Sequence, residues 1–387
     1  MPDKEKESQK LIAGENTEES KMKDGKKGNV VFTGDSKQVV SVGHHDYNEF
    51  SKLERKPQGM KGFNPEYRDF VEYIMKITHT IWEEKSIGLI YDTYSNNVVM
   101  HLGSTNASGI QGVISGTMQT LFAFPDRRLI GQNVIWSPHG EKGYLSSHRI
   151  LSTATNLNPS SFGPATGKRI NFRTTVDCAA EDNRIYEEWL VRDNLWIVRQ
   201  LGFDVFDVAR RMAKATQNDG GLHVAVNGMG ENKMGQYSPK LHAPKDDSAG
   251  EFILEMLSRV YNYRLFNEVD RFYHDNAVVH FVCDQDMTGK EQIKGMLISL
   301  FSSFPNGALV IERVTCNEKA DGKGHDVAVR WRINGVNEGF GYFGSPTGKH
   351  ATILGISHFS VKDGKIDEEW ITFDGMDVLK QLISVEE

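Results

Sequence analysis

The chain contains 387 residues with a mass of 43.6 kDa, which is enough for two globular domains. Hydrophobic residues make up 39% of the sequence and charged residues 25%, so the chain can build packed cores and is neither fibrous nor fully disordered. The net charge of −7 argues against nucleic acid as a main partner, because neutralising phosphates requires an excess of Lys and Arg.

The sequence also lacks the marks of membrane insertion, export and disulfide formation. No apolar run approaches the roughly 20 residues of a membrane-spanning helix, and no apolar segment follows the charged N-terminus as in a signal peptide. The three cysteines, Cys178, Cys283 and Cys316, are far apart and predict neither a disulfide framework nor a zinc site. We therefore expect a cytoplasmic protein without membrane association.

The N-terminal residues 1–45 are rich in Lys, Glu, Asp, Ser and Gly and contain few large apolar side chains. Ordering such a segment costs conformational entropy without compensating burial, so this composition predicts a mobile charged tail. At its end, His44-His45-Asp46 has no further ligand nearby, and we expect no metal site there.

The first predicted domain, residues 46–213, begins with a helix. Asn64-Pro65 is a favourable helix start, and Phe70, Ile74, Ile77 and Ile81 then recur at spacings of four, three and four residues. This spacing predicts an amphipathic helix. The pattern further predicts a strand at 94–101, a helix at 112–122 and strands at 144–154, 169–179 and 184–193, the last two joined by a tight turn at Asp182-Asn183.

Turn-forming residues are concentrated at 214–247, which predicts a linker. Beyond this linker the pattern of the first domain returns. The segments 162–168 and 185–189 both have counterparts 181 residues further along the chain. Ser248 is placed to cap the first helix of the repeated unit. The sequence therefore predicts a second domain at 248–387 and a tandem duplication.

Within each repeat the predicted helices come first and the long strands follow. This order is typical of an α+β domain in which a curved antiparallel sheet wraps over N-terminal helices. We expect two such domains in tandem, either as an intrachain pseudo-dimer or as part of a homo-oligomer.

The C-terminal part of each repeat carries a shared set of short motifs: a Thr-Gly-Lys turn, a Glu-Glu-Trp strand, an aspartate and a Gln-Leu pair. They are Thr166-Gly167-Lys168, Glu187-Glu188-Trp189, Asp193 and Gln200-Leu201 in the first repeat, and Thr347-Gly348-Lys349, Glu368-Glu369-Trp370, Asp374 and Gln381-Leu382 in the second.

This combination resembles the C-terminal signature of the SnoaL-like polyketide cyclases, which belong to the nuclear transport factor 2-like superfamily. The resemblance covers most of residues 64–212 and 247–383 and implies two cone-shaped α+β domains. It is specific for the fold and less so for a reaction, because the superfamily contains cyclases, isomerases, hydrolases, dehydratases and proteins that bind without catalysis.

The Glu-Glu-Trp strand supplies the first candidate catalytic residue. Strict alternation places Glu187, Trp189 and Asp193 on one face, and we expect this face to line the cone. A carboxylate buried in an apolar pocket has a raised pKa, as a general acid or base at neutral pH requires. The resemblance implies a pocket aspartate that moves a proton, aligned with either Asp193 or Asp177. The alternative is that Asp193 caps the following helix.

Two further catalytic candidates lie in the preceding strands. Asp177 is either a pocket acid or a polar residue at a sheet edge, and His358 occupies its place in the second repeat. His148 corresponds to Val329. A titratable residue present in only one copy is a candidate for chemistry.

Other polar and aromatic residues near these strands are candidates for substrate binding. They are Trp136, Arg149, Trp189, His101, His358, Trp370 and Asp374. A glycine-rich segment at 339–344 matches the dinucleotide-binding pattern but leads into another strand instead of a helix, so we expect no cofactor.

The resemblance implies a cofactor-free acid–base catalyst of the cyclase, isomerase or dehydratase type. Its ligand would be a small apolar, carbonyl-containing or polyketide-like molecule. The alternative is a binding or scaffold protein with two pocket domains and no turnover. The orientation of the two aspartates, and a cavity beside them, distinguishes these hypotheses.

Overall fold

A computed structural model of the chain describes residues 31–37, 42–217, 223–225 and 241–383. These residues form two mixed sheets of seven strands each, with helices packed against them. The expected α+β class with two tandem domains is confirmed. No helix in these ranges is long and apolar enough to span a membrane.

The first domain begins with helices and continues into its sheet. Its elements are α1 (Tyr47–Phe50), α2 (Phe70–Trp82), α3 (Ile90–Thr93), β2 (Tyr94–Leu102), β3 (Thr105–Ser108), α4 (Ile110–Ala123), β4 (Arg128–His139), β5 (Gly143–Thr155), β6 (Arg169–Glu181), β7 (Arg184–Arg192), α5 (Asn194–Leu201) and α6 (Val205–Gln217). The sequence pattern did not predict β3 or β4. In β4 a bulge between Gly131 and Asn133 interrupts the alternation that would have marked a strand.

The second domain repeats this order. Its elements are α7 (Ala249–Met256), α8 (Val269–Phe272), β9 (Tyr273–Phe281), β10 (Gln285–Thr288), α9 (Lys290–Ser303), β11 (Ala308–Glu318), β12 (His325–Val336), β13 (His350–Lys362), β14 (Lys365–Phe373) and α10 (Gly375–Leu382). Ser248 caps α7 as predicted, accepting a hydrogen bond from Glu251 N at 3.3 Å. The corresponding helix α2 is capped by Asp69, not Asn64.

We expected antiparallel sheets, but both sheets are mixed and contain parallel as well as antiparallel strand pairs. The strand order is β4-β5-β6-β7-β2-β3 in the first domain and β11-β12-β13-β14-β9-β10 in the second, with one additional edge strand in each. The pairs β7–β2 and β14–β9 are parallel, because the first strand of each domain enters the sheet beside the last strand of the meander.

The two domains use the same register around the Glu-Glu-Trp strand. Trp189 lies between Asp177 and His101 in the first sheet, and Trp370 lies between two histidines at the matching positions of the second. Equal register around the same motif is what a duplicated domain requires.

The additional edge strands come from segments that we expected to be tail and linker. The strand β1 (Val31–Lys37) pairs in parallel with β11, so the expectation of a mobile tail is wrong for these residues. An edge strand such as β11 offers unpaired backbone groups that a further segment can join. The remaining tail residues 1–30 and 38–41 lie outside the described residues.

The expected linker is also partly structured. Helix α6 continues through residues 214–217, and a short strand β8 (His223–Ala225) pairs with β3. Residues 218–222 and 226–240 lie outside the described residues. The boundaries at 213 and 248 stay predictions.

The outer faces of the two sheets pack against each other. Strands β4, β6 and β7 contact β11 to β14 of the other domain. Direct hydrogen bonds cross this interface, including Thr175 Oγ1 to Thr372 Oγ1 at 2.9 Å and Ser147 Oγ to His358 Nε2 at 2.8 Å. Each sheet therefore has one face toward its own helices and one face toward the other domain.

Candidate functional site

The first domain is hollow. A cavity of about 1070 Å³ lies between the inner face of β5, β6 and β7 and the helices α2, α4 and α6. Its exposed wall is more apolar than polar, but many Ser, Thr and Gln side chains and several charged ones also contribute to it. A concave site that combines apolar and polar side chains is suited to a small molecule.

The second domain fills the equivalent space with aromatic side chains. Trp331, Phe359 and Phe373 lie on the inner face of its sheet and are at most 1% exposed. Gly355 makes room for the Trp331 ring, because a Cβ at this position would overlap it. By sheet register the three aromatic residues stand where the first domain has Ile150, Cys178 and Arg192. These side chains therefore occupy the space that is open in the first domain.

A bulge in β7 decides which residues of the Glu-Glu-Trp motif face the cavity. Ala180 pairs with Ile185 and Ala179 with Glu187, so Tyr186 is an extra residue in the strand. One extra residue reverses the alternation beyond it. The cavity is therefore lined by Glu188, and the expectation that Trp189 and Asp193 point into the cone is wrong.

Glu188 is buried in the cavity wall with one carboxylate oxygen held by its neighbours. The Tyr94 hydroxyl donates to Oε2 at 2.8 Å, and the Cys178 thiol lies 3.7 Å from the same oxygen. In the part of the chain that the structure describes, Oε1 accepts no hydrogen bond. Burial raises the pKa of Glu188 above its usual range, although both hydrogen bonds oppose this rise.

The equivalent residue of the second domain, Glu369, has no free oxygen. Tyr261 donates to Oε1 at 3.2 Å and Tyr273 to Oε2 at 2.6 Å. Glu369 is fully buried, and this burial raises its pKa to about 7. The two domains thus carry the same buried glutamate, open to a cavity in one case and closed by two tyrosines in the other.

His148 lies in the wall of the same cavity. Its Nδ1 is 3.5 Å from Ser146 Oγ, and its side chain is almost fully buried. Burial lowers the pKa of His148 to about 4, partly offset by the charge of Asp177, so the imidazole is neutral at pH 7. Among the catalytic candidates Asp193, Asp177 and His148, it is His148 that lines the cavity.

Asp177 lies on the outer face of β6, at the interface between the domains. Its Oδ2 is 2.9 Å from Arg330 Nη1 and 3.4 Å from Arg313 Nη1, both from the second domain. All three side chains are almost completely buried. Asp177 therefore belongs to a buried ion-pair cluster and does not line the cavity.

Asp193 caps α5 and also contacts the second domain. Its carboxylate accepts hydrogen bonds from Trp196 N at 3.2 Å and from Cys283 N across the interface. Burial raises the pKa of Asp193 to about 6, against the lowering by these two hydrogen bonds. The capping alternative therefore describes its contacts, and any role in proton transfer stays a prediction.

Substitution of Asp193 tests this assignment. We expect Asp193→Ala to lower the free energy of unfolding by about 1–3 kcal/mol, because two backbone N–H groups lose their acceptor. Asp193→Asn should cost less, since its amide oxygen still accepts one of them. Chemical denaturation and turnover of both variants provide the measurement. A loss of turnover in Asp193→Asn at unchanged stability would instead support an acid–base role.

Most of the candidate substrate-binding residues stabilise the domain interface. His101 stacks on Trp189 at 4.8 Å, with the Arg330 guanidinium 3.5 Å from the indole centroid. The second domain mirrors this arrangement: Arg149 lies 3.7 Å from the ring centroid of Trp370, whose other neighbour is a histidine. These contacts are cation–π and stacking pairs between the domains.

The three remaining candidates occupy different places. Trp136 packs in the core of the first domain and does not line the cavity. His358 is buried at the interface. Asp374 caps α10 of the second domain and lines one end of the cavity, where Asn194 also donates to it. Burial and the Asp377 charge raise the pKa of Asp374 to about 7.

The sequence relationship of the chain agrees with this fold. Residues 251–382 match the family described as SnoaL-like polyketide cyclase. The second domain is therefore SnoaL-like over nearly its whole length. The match covers about a third of the chain and does not include the hollow first domain. A search of curated proteins found no match.

Several solved structures are similar to about a third of the chain. A putative SnoaL-like polyketide cyclase from Jannaschia sp. CCS1 has 21% identity and a TM-score of 0.31, covering 36% of this chain and 96% of that one. TsrD from Streptomyces laurentii has 18% identity and a TM-score of 0.30, covering 34% and 94%. IdmH from Streptomyces antibioticus, a putative polyketide cyclase, has 20% identity and a TM-score of 0.29, covering 34% and 99%. Identities this low do not transfer an activity.

Sequence patterns did not point to several cavity residues of the first domain, among them Glu188, Tyr94 and Arg192. A signal for Arg192 was present, because the second copy has Phe373 at this position. No comparable signal existed for Glu188, which both copies share. In the described ranges, no group of three His, Cys, Asp or Glu side chains is arranged to hold a metal ion.

Proposed function

We propose that the first domain is an acid–base catalytic site that transfers a proton next to a carbonyl group of a small, largely apolar molecule, as in polyketide cyclisation. The observation that carries this proposal is the open oxygen of Glu188 in the large cavity. The closed carboxylate of Glu369 in the filled second domain indicates that the two copies have separate roles, the second as a structural partner.

Glu188 is the proposed base. A carboxylate with a raised pKa is a stronger base than an exposed one, and its Oε1 is available to a ligand. It removes the proton from a carbon between two carbonyl groups, and the electron pair of the C–H bond moves into the enolate. The enolate carbon attacks another carbonyl of the same chain, and the resulting alkoxide takes the proton back from Glu188. Tyr94 holds Oε2 in place during this exchange.

His148 is the proposed polar contact to the substrate oxygen. A neutral imidazole can donate one hydrogen bond without introducing a charge into the apolar cavity. Such a donor stabilises the negative charge that develops on the enolate oxygen. Apolar residues of the remaining wall, including Ile150 and Leu190, offer contacts to the carbon chain of the ligand.

Isotope exchange tests the proposal without knowledge of the natural substrate. Undecane-2,4-dione in D₂O should exchange the protons between its carbonyls faster with the protein than in buffer, as followed by NMR. An exchange rate equal to that of buffer would contradict the proposal. If the same compound nevertheless bound, the alternative of a binding protein without turnover would be favoured.

The pH dependence of this exchange identifies the base. Glu188 must be ionised to act, so the rate should be constant at high pH and fall as the pH decreases through the raised pKa of this carboxyl. The midpoint is expected above about 4.3, the ordinary value for Glu. His148 stays neutral down to about pH 4 and does not contribute to this loss. A midpoint at or below the ordinary Glu value would argue against Glu188.

A further inference from the structure

Two arginines line one end of the cavity in the first domain. The proton transfer proposed for Glu188 and His148 does not involve them. Arg127 and Arg192 both lie near the ring of Phe172, with guanidinium carbons 5.2 Å and 6.0 Å from its centroid. Burial and the neighbouring Arg192 charge lower the pKa of Arg127 to about 9, so it remains protonated at neutral pH. Two positive charges therefore lie in a largely apolar cavity.

Several hydrogen-bond donors of this cluster have no acceptor. Arg127 donates through Nε and Nη2 to Ser152 Oγ at 3.2 Å and 3.0 Å, and its Nη1 is buried without a partner. Arg192 Nε and Thr174 Oγ1 are likewise buried and unpartnered among the described residues. Thr174 pairs directly with Arg192 in the sheet. Buried donors without acceptors are rare in native proteins, because each costs free energy.

The nearby carboxylates are already engaged elsewhere. Glu83 accepts from Arg128 and from Leu129 N. Asp374 accepts from the first N–H groups of α10 and from Asn194. Neither of them forms an ion pair with Arg127 or Arg192, although both act on these arginines at longer range. The cluster thus has an excess of positive charge.

The second domain contains no such cluster. By sheet register, Gly307 and Phe373 stand at the positions of Arg127 and Arg192, and Gly355 at that of Thr174. These three positions therefore carry side-chain donors only in the first domain, and the buried unpartnered donors of the second domain, among them Arg264 Nη1 and Asn334 Nδ2, belong to other positions.

We propose that Arg127, Arg192 and Thr174 bind the carboxylate of a ligand whose apolar chain extends along β7 toward Glu188. This inference rests on the proposed function of the cavity and specifies its substrate class, an apolar chain with an anionic end. Arg192 and Glu188 are four residues apart on one strand, about 13 Å along it. The cluster holds the carboxylate at this distance from the base, and Leu190 lines the path between them.

Decanoate and decanol separate charge recognition from apolar burial. Titration calorimetry with the full chain should show tighter binding of decanoate. Arg192→Leu should weaken decanoate binding by about 10- to 100-fold and leave decanol binding unchanged, because a charge-assisted hydrogen bond is lost while the apolar wall is kept. Thr174→Val, which preserves shape, should weaken decanoate by about 3- to 10-fold. Arg210→Gln, an exposed charge on α6, is the matched control and should change neither.

The proposal is overturned if decanoate does not bind, if decanol binds as tightly, or if Arg192→Leu and Thr174→Val weaken both ligands equally. These outcomes do not depend on catalysis. Loss of isotope exchange in Glu188→Gln together with unchanged decanoate binding in Arg192→Leu would leave the proposed function standing without the anion site. Charge-selective binding without exchange would leave the anion site standing alone.

Discussion

Replacing Glu188 with Gln is expected to lower the rate of isotope exchange or cyclisation by about 10²–10⁴-fold. Gln preserves the shape of the side chain and still accepts the Tyr94 hydrogen bond through its amide oxygen. It has no carboxylate to take up the proton, so binding should change little while turnover is lost. Initial rates, ligand affinity and melting temperature of the variant measure the three effects separately.

The second domain provides the control for this experiment. Glu369→Gln changes a buried glutamate at the same position of the same motif, but its oxygens are held by Tyr261 and Tyr273. We expect this variant to lose stability and to keep its turnover. Equal losses of turnover in both variants would mean that the effect arises from folding, and full activity in Glu188→Gln would remove Glu188 from the mechanism.

Asp177→Ala is expected to lower the free energy of unfolding by about 3–5 kcal/mol. The carboxylate lies between Arg313 and Arg330 and is 2% exposed, so its removal leaves the buried Arg313 without a carboxylate partner and Arg330 with Glu312 alone. Because these arginines belong to the other domain, the variant should also weaken the interface between the sheets. Urea denaturation gives the change in free energy, and limited proteolysis reports loosening of the domains.

An exposed ion pair is the appropriate comparison. The ion pair between Asp207 and Arg210 is such a case, because the two side chains are 62% and 50% exposed. Asp207→Ala should therefore cost only about 0–1 kcal/mol. If Asp177→Ala retained full stability and lost turnover, the catalytic role considered for Asp177 would be supported over the structural one.

Much of the architecture followed from local patterns in the sequence. Periodicity located α2 and three of the long strands, Ser248 marked the start of α7, and the repeated Glu-Glu-Trp motif indicated two domains. These features depend on neighbours along the chain: side-chain spacing, capping groups and turn residues. They are therefore readable without knowledge of distant contacts.

The site depended on contacts that are distant in sequence. The bulge at Tyr186 arises from pairing with β6 and places Glu188, not Trp189, toward the cavity. The partners of Asp177 and Asp193 come from the other domain, so the same aspartates fit a pocket or an interface when only the sequence is considered.

Whether each cone is hollow or filled was likewise a tertiary property. Trp331 and Phe373 exclude a ligand because they converge with Phe359 from neighbouring strands of one sheet. A single strand does not reveal this convergence, since volume is shared among side chains from several elements. The sequence by itself determined the class, the duplication and the motifs. Strand pairing and domain packing decided which of those motifs face a ligand.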